Sequence, residues 1–264
     1  MRLKIDVDLD YHFAAAADVL LALEVAQLPD QTLIEDLLVV DGTGPLRPIA
    51  GDHGIGQRTW LTAEGPLRAR YTATVDVDRA AVRLDGLAAS PLNDLPADVV
   101  PYLWPSRYCE ADRFEAYVER HFGRAEDGAD GGARIAAMAE WVRAEMAYVP
   151  GSSDTETTAA DAFVSRQGVC RDYAHLLATF ARAAGIPARL VSAYAWRLDP
   201  PDFHAVVEVW LDGGWHLVDP TALAPIEGFV RIAVGRDATD IAFMTIFGEA
   251  RMNSQRVNVT RIDE

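Results

Sequence analysis

One cysteine, one histidine and one aspartate follow one another along the chain in an order that suits a thiol hydrolase. Cys170 lies in the segment GVCRDYA, at the start of an apolar run with helical spacing. Because the free amides and the positive dipole end of a helix stabilise negative charge, this position favours the nucleophilic thiolate. His204 and Asp219 follow downstream. A histidine can accept the thiol proton and a carboxylate can orient the histidine, so the three residues form a candidate catalytic triad.

Each member of this candidate triad also has a plain structural interpretation. A free cysteine is often simply a buried apolar residue. A histidine among aliphatic strand residues is usually a hydrogen-bonded core residue, and the pair Asp219-Pro220 is typical of a turn. Glu208 is a rival to Asp219, since it shares a predicted strand face with His204. The presence of all three residue types in a workable order favours the catalytic interpretation.

The chain changes in character near residue 100. Residues 1–100 alternate apolar and polar residues in several runs, which predicts a β-rich, antiparallel β-sandwich-like N-terminal domain of many short strands. Residues 101–264 begin with helices and continue with strands, which predicts an α+β catalytic core that includes the C-terminal strands. The predicted helices are Glu110–His121, Ala133–Tyr148, Thr157–Val164 and Cys170–Ala184, and the predicted strands after them are Ala188–Trp196, Phe203–Leu211 and Trp215–Val218.

The last two of these strands must bring the histidine and the aspartate together. The turn signal between them is the run DGG at positions 212–214. With the two glycines as the turn residues, Asp219 lies opposite Glu208, four residues away from His204. We therefore expect a bulge, a longer loop or a strong twist to close the gap.

Three residues around the cysteine are candidates for supporting roles. Gln167, or a backbone amide near Cys170, could donate a hydrogen bond to an oxyanion. Gly168 lacks a side chain, which would let a substrate backbone approach the sulfur. Tyr173 is a further candidate at the substrate approach, because it offers a hydroxyl close to the nucleophile in sequence.

Composition limits the classes of partner and cofactor. The 264 residues include 40 acidic and 24 basic side chains, a net charge of −16, so we expect neither nucleic acid nor an anionic membrane as a partner. With two cysteines, Cys109 and Cys170, and no signal-like N-terminal pattern, we expect a reducing cytoplasmic location. No residue set has the spacing of metal ligands and no phosphate loop is present, so we expect no metal and no cofactor. The sequence gives no indication of the oligomeric state.

Several segments resemble the transglutaminase-like superfamily in its bacterial branch. The resemblance rests on GVCRDYA (168–174), AGIPAR (184–189), HAVVEV (204–209) and GWHLVDPT (214–221). It implies a papain-like, cysteine-proteinase α+β core with Cys170, His204 and Asp219 as the triad. It also implies a β-rich domain in front of that core, and it makes Cys109 structural.

The same resemblance implies acyl transfer on a peptide or protein amide substrate through a thioester. Arg171 stands where animal crosslinking enzymes usually have tryptophan, Val206 stands where an aromatic residue is common, and there is no acidic calcium loop. These departures favour a cysteine protease or amide hydrolase over calcium-dependent crosslinking. Transamidation stays open, because it would use the same catalytic residues. The alternatives outside catalysis are a silent binding module on the same fold and a structural partner that recruits proteins through its β-domain.

Overall fold

The computed structural model of the protein describes residues 1–80, 83–123 and 130–263. In chain order, the strands are β1 (Arg2–Leu21), β2 (Gln31–Thr43), β3 (Arg47–Ala50), β4 (Gln57–Val77), β5 (Ala147–Tyr148), β6 (Gln167–Gly168), β7 (Ala188–Ala195), β8 (Phe203–Leu211), β9 (Gly214–Val218), β10 (Phe229–Gly235), β11 (Met244–Phe247) and β12 (Ala250–Arg261). The helices are α1 (Glu115–Phe122), α2 (Gly131–Glu145), α3 (Ala159–Ser165), α4 (Cys170–Ala183) and α5 (Ala238–Ile241).

Long antiparallel strands form the N-terminal sheet. β1 has 20 residues and β4 has 21, and they pair along almost their whole length, while β2 and β3 pair with β4. The prediction of many short strands in this region is therefore wrong. The alternation of β1 is interrupted after Phe13, but the interruption is a shift in register between Phe13 and Ala17, and the strand continues beyond it.

The C-terminal strands complete this N-terminal sheet. β11 and β12 both pair antiparallel with β1, on the side opposite β4. An unpaired β1 would leave a long row of free backbone groups, which the returning strands satisfy. The predicted boundary at residue 100 stays a prediction, but the strands at 244–261 that it assigns to the catalytic core belong to the sheet of the N-terminal region.

The second sheet is antiparallel, with the order β10-β7-β8-β9. Helix α4 packs on one face of it, where Leu190 and Val207 join Leu177 and Phe180 in one buried cluster. Farther along, Tyr194 of β7 and strand β10 pack against the N-terminal sheet instead. The α+β class is confirmed: helices come first, and an antiparallel sheet follows them.

The helix with the candidate nucleophile has clear ends. α4 begins at Cys170 and ends at Ala183, close to the predicted range. Gly185 takes a φ of 82°, and the amide of Ile186 donates to the carbonyl of Ala181 at 2.9 Å, which closes the last turn.

The predicted helix that ends at Tyr148 stops earlier than expected. α2 ends at Glu145, and the chain turns into the short strand β5. There the amide of Ala147 donates to the carbonyl of Arg166 at 2.8 Å, and Tyr148 lies opposite Gly168 in a parallel pair. Tertiary pairing thus overrides the helical pattern and places Tyr148 beside the chain that leads to Cys170.

Candidate active site

Cys170 is the first residue of α4, and it is partly exposed with a free thiol. The preceding residue, Val169, is extended. The side chain of the buried Asp172 accepts the amide of Val169 at 2.8 Å and the hydroxyl of Ser153 at 2.6 Å. These bonds fix the start of the helix, so the amide of Cys170 and the positive end of the helix dipole face the same region as the sulfur.

The capping carboxylate gives Gly168 a packing role. A Cβ atom added to Gly168 would lie 2.5 Å from the Cβ of Asp172, much closer than side chains tolerate. Gly168 is also buried. The structure therefore explains this glycine by the close approach of Asp172, where we expected a path for the substrate backbone.

The two other supporting candidates do not line the cavity next to the cysteine. Gln167 is exposed on β6, three residues before Cys170. Tyr173 is 3% exposed, and its hydroxyl donates to the carbonyl of Met146 at 2.8 Å. The Tyr173 hydroxyl thus supports the junction between α2 and β5 and has no place at the substrate approach.

His204 and Asp219 are joined directly. The Nε2 atom of His204 lies 3.1 Å from the Oδ2 atom of Asp219, and both side chains are almost completely buried. The other ring nitrogen, Nδ1, is buried and has no well-aligned hydrogen-bond partner among the described residues. Since Nε2 is engaged by Asp219, Nδ1 is the nitrogen available to the thiol of Cys170.

The turn between β8 and β9 uses other residues than predicted, and for this reason no bulge is needed to bring Asp219 to His204. Asp212 and Gly213 both have positive φ, 52° and 75°, so they are the two turn residues, as the preference of type I′ turns for Asp-Gly favours. Leu211 then pairs with Gly214, and Val207 pairs with Val218. This register places the next residue, Asp219, beside Val206, two residues from His204. The predicted register, with Asp219 opposite Glu208, is wrong by two residues.

Asp219 also makes the turn that its neighbour Pro220 suggests. Its Oδ1 atom accepts the hydroxyl of Thr221 at 2.7 Å and the amide of Thr221 at 2.9 Å. One oxygen of the carboxylate therefore holds the turn while the other meets the imidazole. The turn expected at Asp219 is therefore present, and the same carboxylate contacts His204, as the triad prediction requires. Thr221 is a supporting residue that the sequence reasoning missed.

These contacts shift both pKa values. Burial alone would lower the pKa of His204, but hydrogen bonds and negative charge from Asp219 and Cys170 outweigh it and raise the pKa from 6.5 to about 10. Burial would raise the pKa of Asp219, but the hydrogen bonds from His204 and Thr221 and the charge of the imidazolium lower it below its ordinary value. The site therefore stabilises an imidazolium next to a carboxylate at neutral pH.

The rival carboxylate is fully engaged elsewhere. Glu208 is completely buried, and its two oxygens accept from Arg189 at 2.7 Å and from Arg231 at 2.7 Å. Arg231 also pairs with Asp30, the residue just before β2. Glu208 thus belongs to an ionic network that links the second sheet to the N-terminal sheet, and it is not the partner of His204.

Cys109 differs from Cys170 in its burial and in its surroundings. It is 0% exposed, and its sulfur lies 3.6 Å from the carbonyl oxygen of His175. Burial raises the pKa of Cys109 to about 11, so its thiol stays protonated at neutral pH. The structural role expected for this cysteine agrees with its position.

A cavity of about 260 Å³ lies beside the candidate nucleophile. Cys170 and His204 both line it, together with Ser192 of β7 and the segment 238–243 around α5. Gln255 of β12 closes one side, which means that the returning C-terminal strand takes part in the site. The structure thus brings the cysteine and the histidine to one cavity at the junction of the two sheets.

Tyr148 is a neighbour of the cysteine that the sequence reasoning missed. Burial together with the charge and hydrogen bonding of the Cys170 side chain raises the pKa of Tyr148 to about 12, so its phenol stays protonated. A strand-forming AYV run after a helix was the available signal, but the helical pattern concealed it.

Metal ligation has no counterpart in the described parts of the chain. Within residues 1–80, 83–123 and 130–263, no three histidine, cysteine or acidic side chains are grouped so that they could hold an ion. In the same ranges, no helix is long and apolar enough to cross a bilayer.

Comparisons with known proteins assign the chain to a family. The family model described as the transglutaminase-like superfamily matches residues 106–220. The crystal structure of a provisionally named cysteine protease from Cytophaga hutchinsonii is similar over 100% of this chain and 91% of that chain. Its sequence identity is 32% and its TM-score is 0.92. The chain therefore belongs to the transglutaminase-like superfamily and has the fold of a cysteine-dependent enzyme.

Two curated proteins match shorter stretches. An uncharacterized protein of Mycobacterium leprae is 36% identical over 117 residues, which are 41% of this chain and 42% of that protein. A protein-glutamine gamma-glutamyltransferase of Pseudomonas aeruginosa is 44% identical over 70 residues, which are 22% of this chain and 10% of that protein. The chain thus spans less than half the length of these curated relatives.

Proposed function

We propose that the protein hydrolyses peptide or protein amide bonds, with Cys170 as the nucleophile, His204 as the base and Asp219 as the residue that orients the base. The observation that supports this best is that His204, held by Asp219 at 3.1 Å, lines the same cavity as Cys170. The similarity to the provisionally named cysteine protease of Cytophaga hutchinsonii supports it as well.

The chemistry begins with one proton transfer. In this proposal the transfer precedes substrate binding: Nδ1 of His204 holds the proton that the Cys170 thiol gives up, and Asp219 stabilises the imidazolium through Nε2. The thiolate attacks the amide carbonyl, and the imidazolium protonates the departing amine as the C–N bond breaks. Water then attacks the thioester, with His204 accepting a proton from it, and the free acid and the thiol are restored.

Donors near the sulfur would stabilise the tetrahedral intermediate. The amide of Cys170 lies at the start of α4, where it has no helical acceptor. The protonated phenol of Tyr148 is the second donor in this proposal. A single donor of this kind contributes on the order of 3 kcal/mol to the transition state in comparable sites.

Transamidation is the second candidate. It is favoured by the match to a protein-glutamine gamma-glutamyltransferase, which is 44% identical over 70 residues. In that reaction a primary amine replaces water as the attacker of the thioester, and every catalytic residue keeps its role. Which of the two occurs depends on whether an amine reaches the thioester before water does.

Product analysis tests both candidates. The wild-type protein, Cys170→Ala and the matched control Cys109→Ala are incubated with a peptide library, with and without a primary amine, and the products are read by mass spectrometry. Cleavage that is lost only in Cys170→Ala supports hydrolysis, and amine adducts lost only in that variant support transamidation. Products that are identical for all three proteins would reject both.

The net charge and the cysteines bear on the partners and the location of the protein. We propose a peptide or protein substrate and neither nucleic acid nor a membrane as a partner, on the basis of the net charge of −16. A cytoplasmic location likewise stays a proposal, supported by the presence of two unpaired cysteines.

A further inference from the structure

The floor of the cavity is an uncovered patch of the second sheet. On the face of the sheet that carries Leu190 and Val207, helix α4 covers these two residues. Two residues farther along each strand, Ser192 and Ala205 lie opposite each other and line the cavity. Beyond them, Tyr194 is covered by the N-terminal sheet. The floor therefore lies between the two parts of the molecule that bury the rest of this face.

Ser192 is an unusual residue for such a floor. It is 6% exposed, and its hydroxyl has no hydrogen-bond partner among the described residues. A buried hydroxyl without a partner is destabilising, because it has lost its contacts with water and gained none in return. Alanine would fit the same place without that cost. The hydroxyl thus has an unused capacity for hydrogen bonding just beneath the cavity lining next to Cys170, and a rotation about its Cα–Cβ bond is needed to turn it toward a ligand.

The walls above Ser192 are apolar. Phe203 and Phe243 stack with ring centroids 4.2 Å apart and planes 4° apart, and Ile241 lies on the same side of the cavity. Apolar walls exclude water and strengthen any hydrogen bond formed inside them. A ligand group in this cavity would therefore combine apolar contact along its length with one polar contact at its end.

The charged residues at the cavity are already engaged. The carboxylate of Asp202 is exposed, and it accepts from the side-chain amide of Gln255 at 2.5 Å and from the amide of Phe203 at 2.7 Å. Arg171 donates to the carbonyl of Asp154 at 2.6 Å. His204 also lines the cavity, and its imidazole is paired with Asp219 at 3.1 Å. A charged group that entered the cavity would therefore find no unpaired counter-charge among these residues.

From this arrangement we propose that the cavity is a substrate subsite in which Ser192 determines specificity. It accepts a short, uncharged side chain that ends in a hydroxyl or an amide, on one of the two residues that flank the reacting amide bond. This inference rests on the proposed function, because it requires the substrate amide to lie close enough to Cys170 for the sulfur to attack its carbonyl carbon. A site built to hydrogen-bond a polar end rejects an isosteric apolar end, since the hydroxyl of Ser192 would then stay unpaired.

Isosteric substrate pairs test the proposal. Capped tetrapeptides carry threonine or valine, asparagine or leucine, and lysine or glutamate at each position flanking the central amide. For the wild-type protein, kcat/KM should be at least about tenfold higher for threonine than for valine, and for asparagine than for leucine, at one of the two positions. In Ser192→Ala that ratio should fall by about tenfold, which corresponds to about 1.4 kcal/mol.

Two further variants control for indirect effects. Ser192→Thr keeps the hydroxyl and should keep the preference. Thr179→Val removes a buried hydroxyl on α4 that does not line the cavity, and it should leave the ratio unchanged. A ratio that persists in Ser192→Ala, an absent preference in the wild-type protein, or a preference for lysine or glutamate would overturn the proposal.

A binding measurement separates this proposal from the catalytic one. The same peptides are titrated into Cys170→Ala and into Cys170→Ala with Ser192→Ala by calorimetry. One outcome is that the wild-type protein shows no turnover, while the threonine peptide binds more tightly than the valine peptide only when Ser192 is present. That outcome would uphold the subsite and reject the catalytic function. Turnover without such a difference would do the reverse, and neither turnover nor selective binding would reject both.

Discussion

Asp219 divides its carboxylate between two partners: Oδ2 lies 3.1 Å from Nε2 of His204, and Oδ1 accepts the hydroxyl of Thr221 at 2.7 Å. The turn that begins at Asp219 therefore fixes the carboxylate that fixes the imidazole. The orientation of His204 is thus set by the backbone of the segment after β9, and not by packing of the ring alone.

Asp219→Asn should abolish most of the proposed activity while preserving the fold. An amide can still occupy the turn with Thr221, but it cannot stabilise the imidazolium, and a related change in a serine protease triad lowers kcat by about 10⁴. We expect a loss of roughly 10²–10⁴ in kcat, measured under saturating substrate, with an unchanged circular dichroism spectrum. Thr221→Val is the control for the turn, and it should lower kcat much less. Full activity in Asp219→Asn would contradict the role given to this carboxylate.

The raised pKa of His204 predicts a specific dependence of stability on pH. Since the pKa rises from 6.5 to about 10 on folding, the folded state binds more protons between these values. The stabilisation is therefore complete below about pH 6.5 and is lost as the pH rises through about 10. The difference in free energy of unfolding between the wild-type protein and His204→Gln should shrink from pH 6 to pH 10.5, measured by urea denaturation. A difference that stays constant over that range would show that the imidazole is not charged in the fold.

Tyr148→Phe should lower turnover without lowering stability. In the proposed mechanism the phenol of Tyr148 donates to the oxyanion, and loss of one such donor lowers kcat by about 10²–10³ in comparable sites. Tyr173→Phe is the matched control, because its ring centroid lies 5.9 Å from that of Tyr148 while its hydroxyl donates to Met146. That variant should lose about 1 kcal/mol of stability and keep its turnover. The role given to Tyr148 would be refuted if Tyr148→Phe kept its kcat and lost thermal stability while Tyr173→Phe lost kcat and kept its stability.

Gly168→Ala should disturb the start of α4. The new methyl group would lie 2.5 Å from the Cβ of Asp172, so the capping carboxylate must move. We expect a destabilisation of about 1–3 kcal/mol, as for other overpacked sites, and slower alkylation of Cys170 by iodoacetamide. Gly44→Ala is the control, since nothing lies within 4 Å of its added Cβ. Equal stabilities for the two variants would mean that Gly168 is free to accept a side chain.

Glu208→Gln should destabilise the protein strongly. The carboxylate is fully buried between Arg189 and Arg231, and removing one partner of a buried ion pair typically costs about 3–5 kcal/mol. The exposed pair of Arg2 and Asp76 provides the comparison, and Asp76→Asn should change the denaturation midpoint little. A small effect of Glu208→Gln in chemical denaturation would mean that this network does not join the two sheets.

The parts of the site that follow from local signals were predictable from the sequence. α4 has strong helical spacing and a glycine stop at Gly185, so the position of Cys170 at a helix start followed from the pattern. The two strands of the hairpin, β8 and β9, were also predicted from the sequence. The predicted turn, with the two glycines as its central residues, is wrong: Asp212 and Gly213 occupy it, and this moves Asp219 by two residues along β8.

The features that depend on distant parts of the chain could not be predicted. Tyr148 lies in a segment with helical spacing, and only its pairing with Gly168 places it in a strand. Ser192 is one small residue inside a strand and looks like part of the core until the uncovered patch of the sheet is known. The return of β12 to β1 joins residues about 250 positions apart, for example Leu3 and Arg261, which no local pattern encodes.

That return of β12 has a consequence for the order in which the cavity is assembled. Gln255, which lines the cavity, lies on β12, whose pairing with β1 joins residues as distant in sequence as Leu3 and Arg261. Because contacts this distant in sequence form late, we expect α4 and its first residue Cys170 to form before this wall of the cavity is in place. Local opening of β12 would then expose the cavity while α4 stays folded.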